Sequence, residues 1–110
     1  MPGRLQSPPD SETDSNVREY ILATLEQRRA VAIAESERAG KTPRQIQRAA
    51  WDEGSKDALA RRVGMSPHQM SRRFRGWPFQ VDELKRIAEL WGVTVDEIMS
   101  GPSQAREEGG

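Results

Sequence analysis

A glycine followed within two residues by a hydroxyl side chain recurs along this chain, at Gly40–Thr42, Gly54–Ser55, Gly64–Ser66 and Gly92–Thr94. No other feature constrains the fold as much. Glycine ends a helix readily, and a Ser or Thr oxygen accepts a hydrogen bond from the free N–H groups that begin the next one. Thr42-Pro43-Arg44-Gln45 and Ser66-Pro67-His68-Gln69 add a proline at the first helical position and a glutamine three residues after the cap. That glutamine can reach back to the N–H of the capping residue, as Glu97 can to Thr94. A chain punctuated in this way has room for short helices and little else.

The apolar spacing fills in those helices. Asn16 with Glu19 has the spacing of a capping box, and Val17, Tyr20, Ile21, Leu25 and Ala32 follow a helical period. This first helix is expected from Asn16 to a stop at Gly40, with a break near Arg28–Arg29 as the alternative to one long rod. The next, over 43–53, turns Ile46, Ala49, Ala50 and Trp51 inward. Two more are expected over 56–63 and 67–75. A fifth begins at Val81 or Asp82 and carries Leu84, Ile87, Ala88 and Trp91, and a sixth holds Val95, Ile98 and Met99 before Gly101-Pro102. No strand alternation is present. The expected fold is all-α: a compact bundle of five short helices over 42–100, preceded by one extra long N-terminal helix over 16–40. The Ser-, Pro- and acid-rich 1–15 and the polar 101–110 read as disordered tails.

Composition bounds the chemistry. At 110 residues the prior is one small domain, with little room for a deep cleft. The absence of cysteine removes thiolate metal sites and fits a reducing cytoplasm. No apolar run approaches the roughly 18 residues of a membrane span, and the N-terminus lacks the apolar core of a secretory signal. With one histidine, no constellation for metal or nucleophilic catalysis can be assembled. The pairs Asp52–Glu53 and Glu107–Glu108 are adjacent in sequence and would not converge on one site. Neither a cofactor nor an enzymatic activity is expected.

Net charge is zero, with 17 basic and 17 acidic residues, which taken alone argues against a nucleic-acid partner. The distribution argues the other way. Residues 55–78 carry Lys56, Arg61, Arg62, Arg72, Arg73 and Arg75 against Asp57, a local charge of +5, while 79–110 carries −4. A phosphate backbone meets the local field. The plain alternative is a solvated basic face, as most charge runs are.

Within this basic stretch, Ser55–Trp77 reads as a helix-turn-helix. Gly64 supplies the turn, Ala60 the small residue where two helices cross closely, and Leu59, Val63, Met65, Met70 and Phe74 a shared core. At about 100° per residue, Met70, Phe74 and Pro67 share one side of the second helix. His68, Arg72 and Arg75 lie opposite, Gln69 and Ser71 flank them, and Arg73 lies to the side. These outward residues are donor types that read base edges or grip phosphates: arginine matches guanine, and glutamine matches adenine.

The run SKDALARRVGMSPHQMSRRFRG followed by VDELKRIAELWGVTVDEIMSG resembles the Cro/C-repressor type of helix-turn-helix, the lambda-repressor-like or XRE-type family. The family pattern falls on Leu59, Ala60, Gly64, Ser66, Met70 and Gly76, and its later turn on Trp91-Gly92-Val93-Thr94. The flavour is that of small phage repressors and Cro-like regulators. The resemblance implies a transcriptional regulator, most simply a repressor, that binds double-stranded operator DNA with the 66–75 helix in the major groove. Members usually bind as dimers on paired half-sites, so a homodimer is one option. It also implies a cytoplasmic, nucleoid-associated location in a bacterial cell or phage-infected host. Carried over by position, Ser66, His68, Gln69, Ser71 and Arg72 face bases, and Ser55, Lys56, Arg73, Arg75 and Trp77 contact phosphate.

The chain departs from the pattern in three places. Lys56 stands where glutamine is common, Arg73 where an apolar residue is common, and the Gly54-Ser55 linker is one residue short. Helix 43–53 takes the place of the family's first helix, with helix 17–39 followed by an insertion as the alternative; the first choice leaves the long helix without a family role. Two alternatives follow. One is a protein-interaction module, an antitoxin or host-factor binder, acting through helix 17–39; the other is a recombination accessory protein that bends DNA.

Overall fold

All four hydroxyl caps form in the computed structural model, which describes residues 12–102. Thr42 and Gln45, Ser66 and Gln69, and Thr94 and Glu97 each make the reciprocal pair of hydrogen bonds, and the Ser55 hydroxyl accepts from the Ala58 N–H at 3.0 Å. The caps open four of six helices: α1 (Glu12–Arg38), α2 (Pro43–Gly54), α3 (Lys56–Arg62), α4 (Pro67–Phe74), α5 (Val81–Trp91) and α6 (Val95–Ser100). Among the described residues there is no strand. The architecture is all-helical, and none of the helices is long and apolar enough to cross a membrane.

The first helix departs from expectation at its start. It begins at Glu12, so residues 12–15 belong to α1 and not to a tail. Asn16 lies inside the helix and does not cap it. Glu12 and Asp14 occupy the first turn, where acidic side chains favour the positive end of the helix dipole and extend it. Asn16 instead lies under the C-terminal end of α6: a Cβ added to Gly101 would sit 3.1 Å from the Asn16 Cβ. The helix runs unbroken through Arg28–Arg29. Of the expected tails 1–15 and 101–110, residues 1–11 and 103–110 lie outside the described residues, while Gly101 is buried against α1.

α1 is no appendage to the bundle. Its buried residues, Val17, Ile21, Leu25, Ala32 and Ser36, form one stripe that packs across α2 and α6. Val17, Ile21 and Leu25 join Leu59, Ala60, Val63, Met65, Met70, Leu84, Ile87, Ala88 and Ile98 in a single core. At the crossing of α1 with α2, a Cβ on Gly54 would overlap the Cβ of Arg29, so only glycine permits that approach. The carboxylate of Glu53 then lies 3.4 Å from Arg28 of α1 and 3.5 Å from Arg62 of α3. One acid from α2 thus spans its two neighbours.

Trp51 does not turn inward. It is 41% exposed, with the Arg61 guanidinium 5.9 Å from its ring centroid. Ala50 takes the buried position on α2, one helical turn before Gly54, where α2 crosses α1 closely.

Candidate functional site

The basic stretch folds into α3, a tight turn and α4. Gly64 at φ +75° makes the turn, and the Met65 N–H donates back to the Ala60 carbonyl at 2.8 Å. That six-residue bond closes α3 and aims the chain into the Ser66 cap. From outside, the Arg86 guanidinium of α5 donates to the Val63 carbonyl at 2.8 Å. Leu59, Ala60, Val63, Met65 and Met70 are buried between the two helices, as their pattern predicts. Phe74 is half-buried and meets Phe79 edge to face at 5.7 Å.

With Met70 fully buried, the opposite side of α4 is fixed toward solvent. His68 and Arg72 are exposed there, Arg75 follows at the C-cap, and Ser71 is half-buried at the flank. Among the described residues, neither Arg72 nor Arg75 has a carboxylate partner. The Arg72 guanidinium lies 5.1 Å from the centroid of the exposed Trp77 ring. Lys56, at the start of α3, lies with its ammonium 4.6 Å from the Phe74 ring centroid, which sets it beside the C-terminal end of α4.

Ser66 and Gln69 are exposed but partly occupied. The Ser66 hydroxyl accepts from the Gln69 N–H, and the Gln69 Oε1 accepts from the Ser66 N–H, each at 3.0 Å. What remains for a ligand is the Gln69 side-chain NH2, the Ser66 hydroxyl proton and one further acceptor lone pair on each oxygen. Bidentate reading of adenine needs the glutamine oxygen as well, and then shares that oxygen with the capping bond. Ser55, half-buried, likewise accepts from the Ala58 N–H and keeps a proton to donate.

Arg73, among the expected phosphate contacts, is engaged within the fold. Its Nε and Nη2 each donate to a Glu83 carboxylate oxygen at 2.8 Å, and the two side chains are 12% and 7% exposed. Glu83 also accepts from the Gln80 N–H at the start of α5. Burial pushes the Glu83 carboxyl up, but the Arg73 hydrogen bonds, the Gln80 N–H and the charges of Arg73 and Arg86 outweigh it and hold the group below its usual value. The Glu83 hydrogen bond raises the Arg73 guanidinium in turn. Arg73 is therefore a strut between α4 and α5. Its place at the side of α4, where an apolar residue is common in the pattern, was the signal available: a half-inward arginine calls for a buried acid.

Of the six basic residues in the stretch, Arg62 pairs with Glu53 and Arg73 with Glu83. Lys56, Arg61, Arg72 and Arg75 are left without a carboxylate among the described residues, and three of these four lie against an aromatic ring. The Arg61–Trp51, Arg72–Trp77 and Arg86–Val63 contacts escaped the sequence reading. Among the described residues no group of three or more His, Asp or Glu side chains is placed to hold a metal ion. No family model, curated protein or solved structure matches the chain.

Proposed function

We propose that this chain is a sequence-specific DNA-binding transcriptional regulator in which α3 and α4 act as a helix-turn-helix of Cro/C-repressor type. The observation that carries this reading is the outward side of α4. His68, Arg72 and Arg75 stand exposed opposite the buried Met70, and the two arginines have no acid partner among the described residues. On this reading α4 enters the major groove and Arg72 reads a base, with His68, Ser71 and the free amide of Gln69 beside it. Lys56, Arg75 and the Ser55 hydroxyl meet phosphates and set the register. Repression of an operator is the simplest outcome of such binding.

Selection of bound sequences from a random duplex pool tests the proposal. A defined consensus supports it, and a palindromic one adds a symmetric dimer. Failure of the chain to be retained at low salt would end it.

A second reading, a protein-interaction module, draws on a different feature. Leu22 and Trp51 are exposed along a groove of about 590 Å³ bounded by α1, the end of α2 and the start of α3. The same experiment separates the two, because a pure protein-binding module leaves the duplex pool in solution.

A further inference from the structure

Trp77 stands just beyond α4, after Arg75 and Gly76, with more than half its surface exposed, and packing does not explain that position. The backbone fixes it there. Gly76 at φ +125° turns the chain back, and the Trp77 N–H donates to the carbonyl of Arg72, five residues earlier, at 3.3 Å. Pro78 follows and restricts Trp77 to an extended conformation. The main chain of Trp77 is thus tied to the residue whose guanidinium its ring contacts, 5.1 Å from the centroid. Arg72 is held twice by one neighbour, and by no carboxylate among the described residues.

We propose that Trp77 is a specificity-positioning residue: its indole holds the Arg72 guanidinium in one orientation for reading a guanine in the major groove. The inference rests on the DNA-binding reading of α4 and assigns Trp77 a different task from a phosphate contact. Four features support it. A cation–π contact engages the charge of a guanidinium without consuming its N–H donors, so the bidentate edge stays available for guanine O6 and N7. A free arginine side chain loses rotamer entropy when fixed on a base, and a prior contact with a ring removes part of that loss before DNA arrives. A carboxylate in the same place would also orient the arginine, but it would repel the phosphates; an indole is neutral. Finally, Trp77 cannot serve the core, which is complete without it.

The test compares wild type, Trp77→Ala, Trp77→Phe and Arg72→Ala in site selection and in salt-dependent binding to the selected duplex. Circular dichroism and the proton spectrum of the free proteins accompany it. In the free protein, the Arg72 side-chain protons are expected to be shifted upfield by the ring, a shift lost in Trp77→Ala and largely kept in Trp77→Phe. Arg72→Ala is expected to abolish preference for one guanine in the half-site. Trp77→Ala keeps that guanine but discriminates about two- to five-fold less between it and other bases, the ratio that an exposed cation–π contact supports. Its salt slope stays unchanged, and Trp77→Phe restores most of the discrimination. Unchanged discrimination in Trp77→Ala, while the wild type selects a site, would overturn this proposal alone. So would an equal loss of affinity for every sequence, which marks a phosphate contact by the neutral indole N–H. If the wild type retains no duplex at all, the DNA-binding reading fails and this proposal goes with it.

Discussion

Arg73 of α4 donates two 2.8 Å hydrogen bonds to the carboxylate of Glu83 at the first turn of α5, and both side chains are nearly buried. This pair sets the angle of α4 from behind, as Met70 does from within. Removing one partner leaves an uncompensated charge, so Arg73→Ala and Glu83→Ala are each expected to destabilise the fold by about 3 kcal/mol. The double change Arg73→Met with Glu83→Leu, which replaces the ion pair by apolar side chains of similar bulk, is expected to recover most of the loss. Urea unfolding of the four proteins measures both. Because Arg73 is engaged by Glu83, Arg73→Ala is expected to leave the salt slope of DNA binding as it is.

The same pair makes stability depend on acid. The folded Glu83 carboxyl titrates below its usual value, so the unfolded chain binds the proton first as pH falls. Its contribution is fully present above the unfolded value of about 4.3 and is lost as pH drops through the lower, folded value. Thermal midpoints measured downward from pH 7 are expected to fall below about pH 4.3, and Glu83→Gln is expected to flatten that part of the curve.

Gly54 separates two physical effects of opposite sign. Alanine favours a helix over glycine by about 1 kcal/mol, yet a Cβ at this position overlaps the Cβ of Arg29. That neighbour is the rigid root of a side chain, so α1 and α2 must move apart. Gly54→Ala is therefore expected to be destabilising, by roughly 1–3 kcal/mol, and a stabilised protein in thermal melts would show that α1 does not cross α2 there.

Met70 has no exposed surface and lies opposite the proposed reading face. Met70→Ala is expected to lose about 2–5 kcal/mol and to weaken every function of α4 together, as measured by urea unfolding. Arg72→Ala, on the exposed side, is expected to leave stability unchanged.

Local chemistry was legible in the sequence and contacts across the chain were not. The caps at Thr42, Ser55, Ser66 and Thr94 depend on residues three positions away, and all four form. The core of α3 and α4 follows from helical period and from one glycine turn, and it too forms. Trp51 is exposed beside Arg61 of α3, a relation between two helices that helical period alone does not give. The pairing of Arg73 with Glu83 is missed for a like reason: it joins α4 to α5, and no spacing within either helix encodes it. At the start of α1, the cap motif at Asn16 competes with the acidic turn of Glu12 and Asp14 ahead of it, and the acidic turn prevails.

On the proposed DNA-binding reading, two substitutions divide base reading from phosphate contact on the exposed face. Arg72→Ala is expected to cost roughly 1–3 kcal/mol against the preferred site and little against random sequence. Lys56→Ala is expected to weaken both alike and to reduce the salt slope by about 1. Competition binding with selected and scrambled duplexes measures each; a change of sequence preference in Lys56→Ala would contradict its place on the backbone side.

Selection of duplexes from a random pool by the intact chain, followed by binding of the winning sequence across a salt series, weighs the whole reading. The expected result is a defined consensus with affinity that falls steeply and linearly in log salt. A pool that stays unbound at low salt, or that binds without any sequence enrichment, would contradict it.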